Sequence, residues 1–273
     1  MKGSGPFMWI AELLALLIYP GGLWTFGLWI GYRALTTWQL PTNGQLRFAT
    51  DRPGWMALAT LFCVAGGLTG LPWPWHPSPH AFGWLGAWAL LEVAAWLPLW
   101  PTLTAGTPRI VRAAMREAQI SLLGRALLWG VAAIGFSNDN TLTGAALAGH
   151  GLVLVSGLLS LPAAINWGPF GPEPSLGPHG IVEGQSTKTA AAITFARDLV
   201  AAALITVVWQ AGLSLASVPA WVAAVTIIAG SVVTILSLRW LQGRVPRFSV
   251  PVALRFTLGW AGSTALLAVI VLR

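Results

Sequence analysis

"AGTPRIVRAAMREAQISLLGRALLWG", residues 105–130, holds Arg109, Arg112, Arg116 and Glu117 in its first half and a single charge, Arg125, in its second. The first half reads as a basic, helix-prone stretch and the second as a membrane span. Composition supports the membrane reading: of 273 residues, 56% are hydrophobic and 8% are charged, against about 25% charged in soluble globular proteins. A hydrocarbon core about 30 Å thick needs about 20 mostly apolar residues per helix. Runs of that kind fall at about 7–31, 54–73, 81–103, 118–136, 142–163, 190–212, 218–238 and 251–272. They are continuously apolar and lack the period-two alternation of barrel strands, so the expectation is an all-α membrane protein with about eight transmembrane helices. The whole chain, 1–273, reads as one polytopic membrane domain.

The net charge of +7 matters less than its distribution, and nucleic acid is not the expected partner. Arg33, Arg47 and Arg52 follow the first span, Arg109, Arg112 and Arg116 the third, Lys188 the fifth, and Arg239, Arg244 and Arg247 the seventh. The even-numbered connections carry no Lys or Arg. By the positive-inside rule the odd connections are cytoplasmic, and both termini, near Lys2 and Arg273, are extracytoplasmic. Many of the 17 tryptophans, Trp73, Trp75, Trp100, Trp167 and Trp240 among them, fall near span ends as an aromatic belt does. The N-terminal apolar run has no A-x-A type cleavage site and reads as a first span.

Cys63 is the only cysteine, which rules out an intrachain disulfide and a cysteine-ligated cluster. No phosphate-binding loop, H-E-x-x-H, C-x-x-C or G-x-S-x-G is present. His76 and His80 in "WPWHPSPH" have no carboxylate or thiol beside them to complete a metal site. Gly66 and Gly70 form a small-xxx-small pattern suited to close helix packing. No internal repeat of the kind common in secondary transporters is visible. The longest stretch outside the spans, 165–189, is rich in Gly and Pro.

The intramembrane ionisable residues carry most of the functional signal: Glu12, Glu92, Arg125, His150 and the adjacent Arg197 and Asp198. A charge at a helix centre costs about 2.5–3.5 kcal/mol on insertion scales, so such groups face the bundle interior and have partners. Glu92 or Glu12 is the natural partner for Arg125. An ion pair of this kind serves either helix packing or function.

Several landmarks in order resemble the complex I subunit 1 family, and more closely its branch in the membrane-bound group 4 [NiFe]-hydrogenases. In "AGTPRIVRAAMREAQISLL" a G-x-P stretch at Gly106 and Pro108 leads into Arg116, Glu117 and Ala118. "LLIYPGGLWTFGLW" carries a Tyr-Pro-Gly at Tyr19–Gly21, and Arg33 ends that span where the family has an acidic-basic pair. Pro169 and Phe170 stand at a Thr-Pro-Phe-Asp motif, "GIVEGQST" is similar to the segment after it, and "RWLQGRVPRFSVPVALRF" resembles the basic loop before the last span. There are departures too. Arg125 stands where the family usually has a glutamate, Lys188 and Thr189 replace a Glu-Tyr, only "GPFG" remains of the motif, and the amphipathic stretch after the first span is short. Asp198 matches an acid common early in the sixth span.

The resemblance implies a membrane subunit of a respiratory oxidoreductase complex in a prokaryotic cytoplasmic membrane. Such a subunit anchors a peripheral hydrogenase-like module, whose subunits hold the iron–sulfur clusters, and couples it to antiporter-like proton-translocating subunits. The chain itself would hold no redox cofactor, though the family leaves room for a quinone. Glu12, Glu92, Arg125 and Asp198 would form a charged path, and Arg33, Arg109, Arg112, Arg116, Glu117, Glu173 and Glu183 the docking surface. Two alternatives stay open: a structural paralogue without proton or quinone chemistry, and an unrelated small-solute transporter or intramembrane enzyme.

Overall fold

The computed structural model describes residues 6–40, 52–76, 83–104, 107–137, 144–171, 180–182, 185–213, 218–242 and 244–272. They fold as α1 (Pro6–Leu17), α2 (Gly22–Thr37), α3 (Arg52–Thr69), α4 (Gly83–Trp96), α5 (Trp100–Leu103), α6 (Pro108–Ser137), α7 (Gly144–Ala164), α8 (Thr187–Gly212), α9 (Ala220–Gln242), α10 (Val250–Phe256) and α11 (Ser263–Leu272). Short 3₁₀ turns sit at Gly168–Phe170 and Gly180–Val182. No strand occurs among the described residues. The chain is an all-α, multi-pass membrane protein.

Among the described residues six stretches are long and apolar enough to cross a membrane: Ile10–Thr37, Pro108–Ser137, Gly144–Phe170, Thr187–Gly212, Ala220–Gln242 and Val250–Leu272. The runs expected at 54–73 and 81–103 are helical but fall short of that standard. α3 has 18 residues and begins on Arg52. α4 has 14 and stops before Pro98, which has no amide to continue the ladder, and the chain resumes as the single turn of α5. The first span is interrupted likewise, at Tyr19-Pro20-Gly21 between α1 and α2. The span expected from 118 starts at Pro108, because nothing between Pro108 and Gly124 breaks a helix. Its 30 residues rise ~45 Å, more than a hydrocarbon core, so its basic first turns extend past the bilayer interior.

α8 is the hub. Beyond Asp198 it is almost entirely apolar and is buried on all sides, as such a helix must be, and α2, α3, α4, α6, α7 and α9 all pack on it. Small residues allow the approach. A Cβ on Gly124 of α6 would strike the backbone of Ala163 and Ala164 in α7, and one on Gly70 would come 2.8 Å from the Gly83 carbonyl. Gly66 faces Leu90, so the glycine pattern of α3 does mark its packing against α4. Beyond α10 the helix widens into a π turn at Thr257–Gly262, where the Ser156 hydroxyl of α7 donates to the Ala261 carbonyl at 2.8 Å.

Hydrogen bonds bring the basic connections to one end of the bundle. Arg239, at the end of α9, donates to the Leu35 carbonyl at the end of α2 (2.9 Å) and lies 4.6 Å above the Trp38 ring. The Phe248 amide donates to the Pro169 carbonyl at 2.7 Å. The opposite end is aromatic: Tyr19, Trp24 and Trp73 meet edge to face, and the Tyr19 hydroxyl donates to the Pro74 carbonyl at 2.7 Å.

Candidate functional site: a run of ion pairs across four helices

Glu117, Ser121, Arg125 and Trp129 recur every fourth residue of α6 and therefore share one face. That face looks inward. Arg125 is 3% exposed, and its Nε lies 3.0 Å from both oxygens of Glu92 on α4. The Trp129 indole donates to the same carboxylate at 3.1 Å, and the Trp96 ring lies 5.8 Å from the guanidinium. Glu92 is thus Arg125's partner. The other proposed partner, Glu12, sits half-buried on α1 and makes no ion pair among the described residues.

Two turns earlier on the same face, Glu117 pairs with Arg197 of α8 at 3.1 Å. Asp198 follows directly, and successive helical residues point about 100° apart, so it reaches a different helix: Arg33 of α2 donates to it at 2.8 Å. Six charges on α4, α6, α8 and α2 thus form three pairs, with each carboxylate held by a guanidinium.

Two cavities flank the run. One of about 30 Å³ is bordered by Glu117, Ser121, Arg125, Asn166 and Arg197, enough for a water molecule. Arg125 Nη2 and Asn166 Oδ1, from two residues that border this cavity, are buried without a protein partner among the described residues. The second cavity, about 390 Å³, is lined by Tyr32, Arg33, Thr36, Arg197, Asp198 and Arg247 among others. Asn166, with φ of 52°, borders both. His150 is buried in α7 and borders neither.

The residues expected to dock a partner divide. Arg109 and Arg112 are exposed on the first turns of α6. Arg116 and Glu117 are buried, 6% and 8% exposed, which corrects their assignment to an outer surface. Arg116 points inward because its guanidinium donates to the Gly171 carbonyl at 2.7 Å and to the Phe248 carbonyl, tying two connections to α6. Arg33 is half-buried in its pair with Asp198. Glu173, Glu183, His80, Arg47, Lys2 and Arg273 lie outside the described residues. The links missed in sequence were Glu117 to Arg197 and Asp198 to Arg33. The eight-residue spacing of Glu117 and Arg125, which puts both on one face of a helix, was the available sign of the first.

A quinone suits the larger cavity, taken by itself, poorly. Its head is a neutral ring bearing two acceptors, which suits a mostly apolar slot with a few placed donors, whereas Arg33, Arg197, Asp198 and Arg247 crowd the larger cavity with charge. Among the described residues no three His, Cys, Asp or Glu side chains gather as metal ligands.

Fold and site define a polytopic helical membrane protein with a paired-charge interior. Its architecture is similar to that of a chain in the structure of the membrane-bound sulfane sulfur reductase, an archaeal respiratory membrane complex, with a TM-score of 0.65 and 14% identity over 97% of this chain and 100% of that one. At that identity the likeness is one of fold. The sequence matches no protein-family model and no curated protein.

Proposed function

We propose that this chain is a membrane subunit of a respiratory oxidoreductase complex of the complex I and group 4 hydrogenase type, residing in a prokaryotic cytoplasmic membrane. The run of three ion pairs across α4, α6, α8 and α2 carries the reading. A soluble iron–sulfur module would dock on the basic end, where Arg109 and Arg112 are exposed, and antiporter-like subunits would adjoin within the bilayer. The basic end is cytoplasmic, both termini are outside, and α3 with α4 complete eight crossings. The likeness to a respiratory complex's chain supports this assignment. Redox events in the docked module would bias the paired charges and, through them, proton movement in neighbouring subunits. Purification in mild detergent tests the assignment: iron–sulfur and antiporter-like subunits should be recovered with this chain, and a pure active homo-oligomer would refute it.

One observation favours the structural alternative. Each carboxylate of the run is bound to an arginine, which cannot release its proton, so the run stabilises charge better than it relays protons. The proton-to-electron ratio of the complex carrying Arg125→Leu with Glu92→Leu separates the two: a lowered ratio supports coupling, an unchanged one a structural role.

A further inference from the structure

The Glu92–Arg125 pair lies deep in the membrane yet is not fully enclosed. Arg125 stands twelve residues before Ser137, where α6 ends, ~18 Å along the helix. In a hydrocarbon core about 30 Å thick the pair is near the middle, too deep for a glutamate to reach either surface. The Glu92 side chain is nevertheless 18% exposed, and it borders neither cavity of the ion-pair run nor an apolar groove along α9. Leu85, Trp88 and Ala89 stand seven, four and three residues before it and share its side of α4; all three are exposed. Glu92 therefore starts from the outer side of α4 and crosses a shallow seam to α6, because α4 packs mainly on α3 and only lightly on α6. Leu122, Ala126 and Gly130 of α6, all exposed, form the other wall. Leu122 is three residues from Arg125 and beside it on the helix surface, and a Cβ on Gly130 would meet nothing within 4 Å.

We propose that the α4–α6 seam seats a transmembrane helix of a neighbouring subunit, one that presents an uncharged hydrogen-bond donor, Ser, Thr, Asn or Gln, to Glu92 at mid-membrane. A carboxylate left against hydrocarbon is costly, which is why such groups face protein, and a lipid tail has no donor to give it. Oε1 accepts from both Arg125 Nε and the Trp129 indole, whereas among the described residues Oε2 accepts only from the Nε that it shares with Oε1. Oε2 therefore has room for a further donor. That donor is uncharged because Arg125 already balances the carboxylate, and a second cation would leave a net charge in the bilayer interior. Ala126 and Gly130 let a helix backbone come close, as small residues four apart do between membrane helices. The proposal rests on the reading of this chain as a subunit of a membrane complex, and it names the face that one neighbour covers.

The photoreactive residue p-benzoylphenylalanine would replace Ala89 or Leu122 in the full-length chain, irradiated in native membranes. Both positions should give protein adducts whose cross-linked peptide, mapped by mass spectrometry, is a transmembrane helix with one of those four donor residues within a turn of the attachment point. Ala126→Trp, which places bulk on the exposed wall and leaves the chain's own core alone, should abolish the adduct at position 122. Adducts with lipid alone, with a second copy of this chain, or with a helix lacking such a donor would overturn the proposal, as would an undiminished adduct in Ala126→Trp. Failure of the respiratory reading looks different. A donor-bearing helix from an unrelated complex would refute that reading and leave the seam as proposed, whereas lipid adducts in a chain that still co-purifies with iron–sulfur and antiporter-like subunits would remove the seam alone.

Discussion

Removing Arg125 and removing Glu92 should differ in cost, because the two partners differ in what they can do when stranded. Loss of one partner of a buried pair costs about 3–5 kcal/mol. In Arg125→Leu the orphaned Glu92 keeps the Trp129 indole at 3.1 Å and has an 18% exposed side chain. The cost should sit at the low end, about 3 kcal/mol. In Glu92→Leu the orphan is a guanidinium that is 3% exposed, already has Nη2 without a protein acceptor, and cannot shed its charge. That cost should reach about 5 kcal/mol. The 2 kcal/mol difference corresponds to about 30-fold in the unfolding equilibrium. The double variant, with two leucines in place of the pair, should fall well below the sum, since buried pairs replaced by apolar residues are often neutral. Reversible unfolding in mixed SDS–detergent micelles, with the three variants and parent compared at one temperature, measures all four states. Strict additivity would show that the pair is not coupled, and a larger cost for Arg125→Leu would refute the asymmetry argument.

Arg33→Leu should cost less than Arg125→Leu in the same unfolding assay, because Asp198 borders the 390 Å³ cavity, where water can reach it. Gly124→Ala should destabilise by about 1–3 kcal/mol, since the new methyl meets backbone of Ala163 and Ala164 that cannot turn aside. Gly124→Ser should be no better. Single cysteines at Gly44 and Gly243, in a Cys63→Ala background, should resist an impermeant thiol reagent applied to intact cells while Ser78→Cys reacts. Labelling of the first two from outside would reverse the orientation.

Sequence disclosed the helical membrane class and the grouping of basic connections because both rest on local composition, and the contacts of Arg239, Arg116 and Phe248 place those connections at one end. It also narrowed the partner of Arg125 to Glu92 or Glu12, since so few acids lie inside spans. The direction of Arg116 was not legible. Four residues from an exposed Arg112 on the same helix, it turns inward only because carbonyls from residues 171 and 248 await it. Asp198 is paired with a residue 165 positions away, and no periodicity reports such a distance. The interruptions at Tyr19–Gly21 and at Pro98 were visible as prolines, yet a continuous apolar run outweighed them.

The order in which these contacts become available has a consequence for biogenesis. All three ion pairs lie between Arg33 and Asp198, so the interior charges find their partners once α8 has been inserted. The bonds that seal the basic end come later: Arg239 to Leu35 spans 204 residues and Arg116 to Phe248 spans 132. Chains emerge from the ribosome N-terminus first. A nascent chain therefore neutralises its buried charges before its basic end is closed by α9 and the segment that follows it.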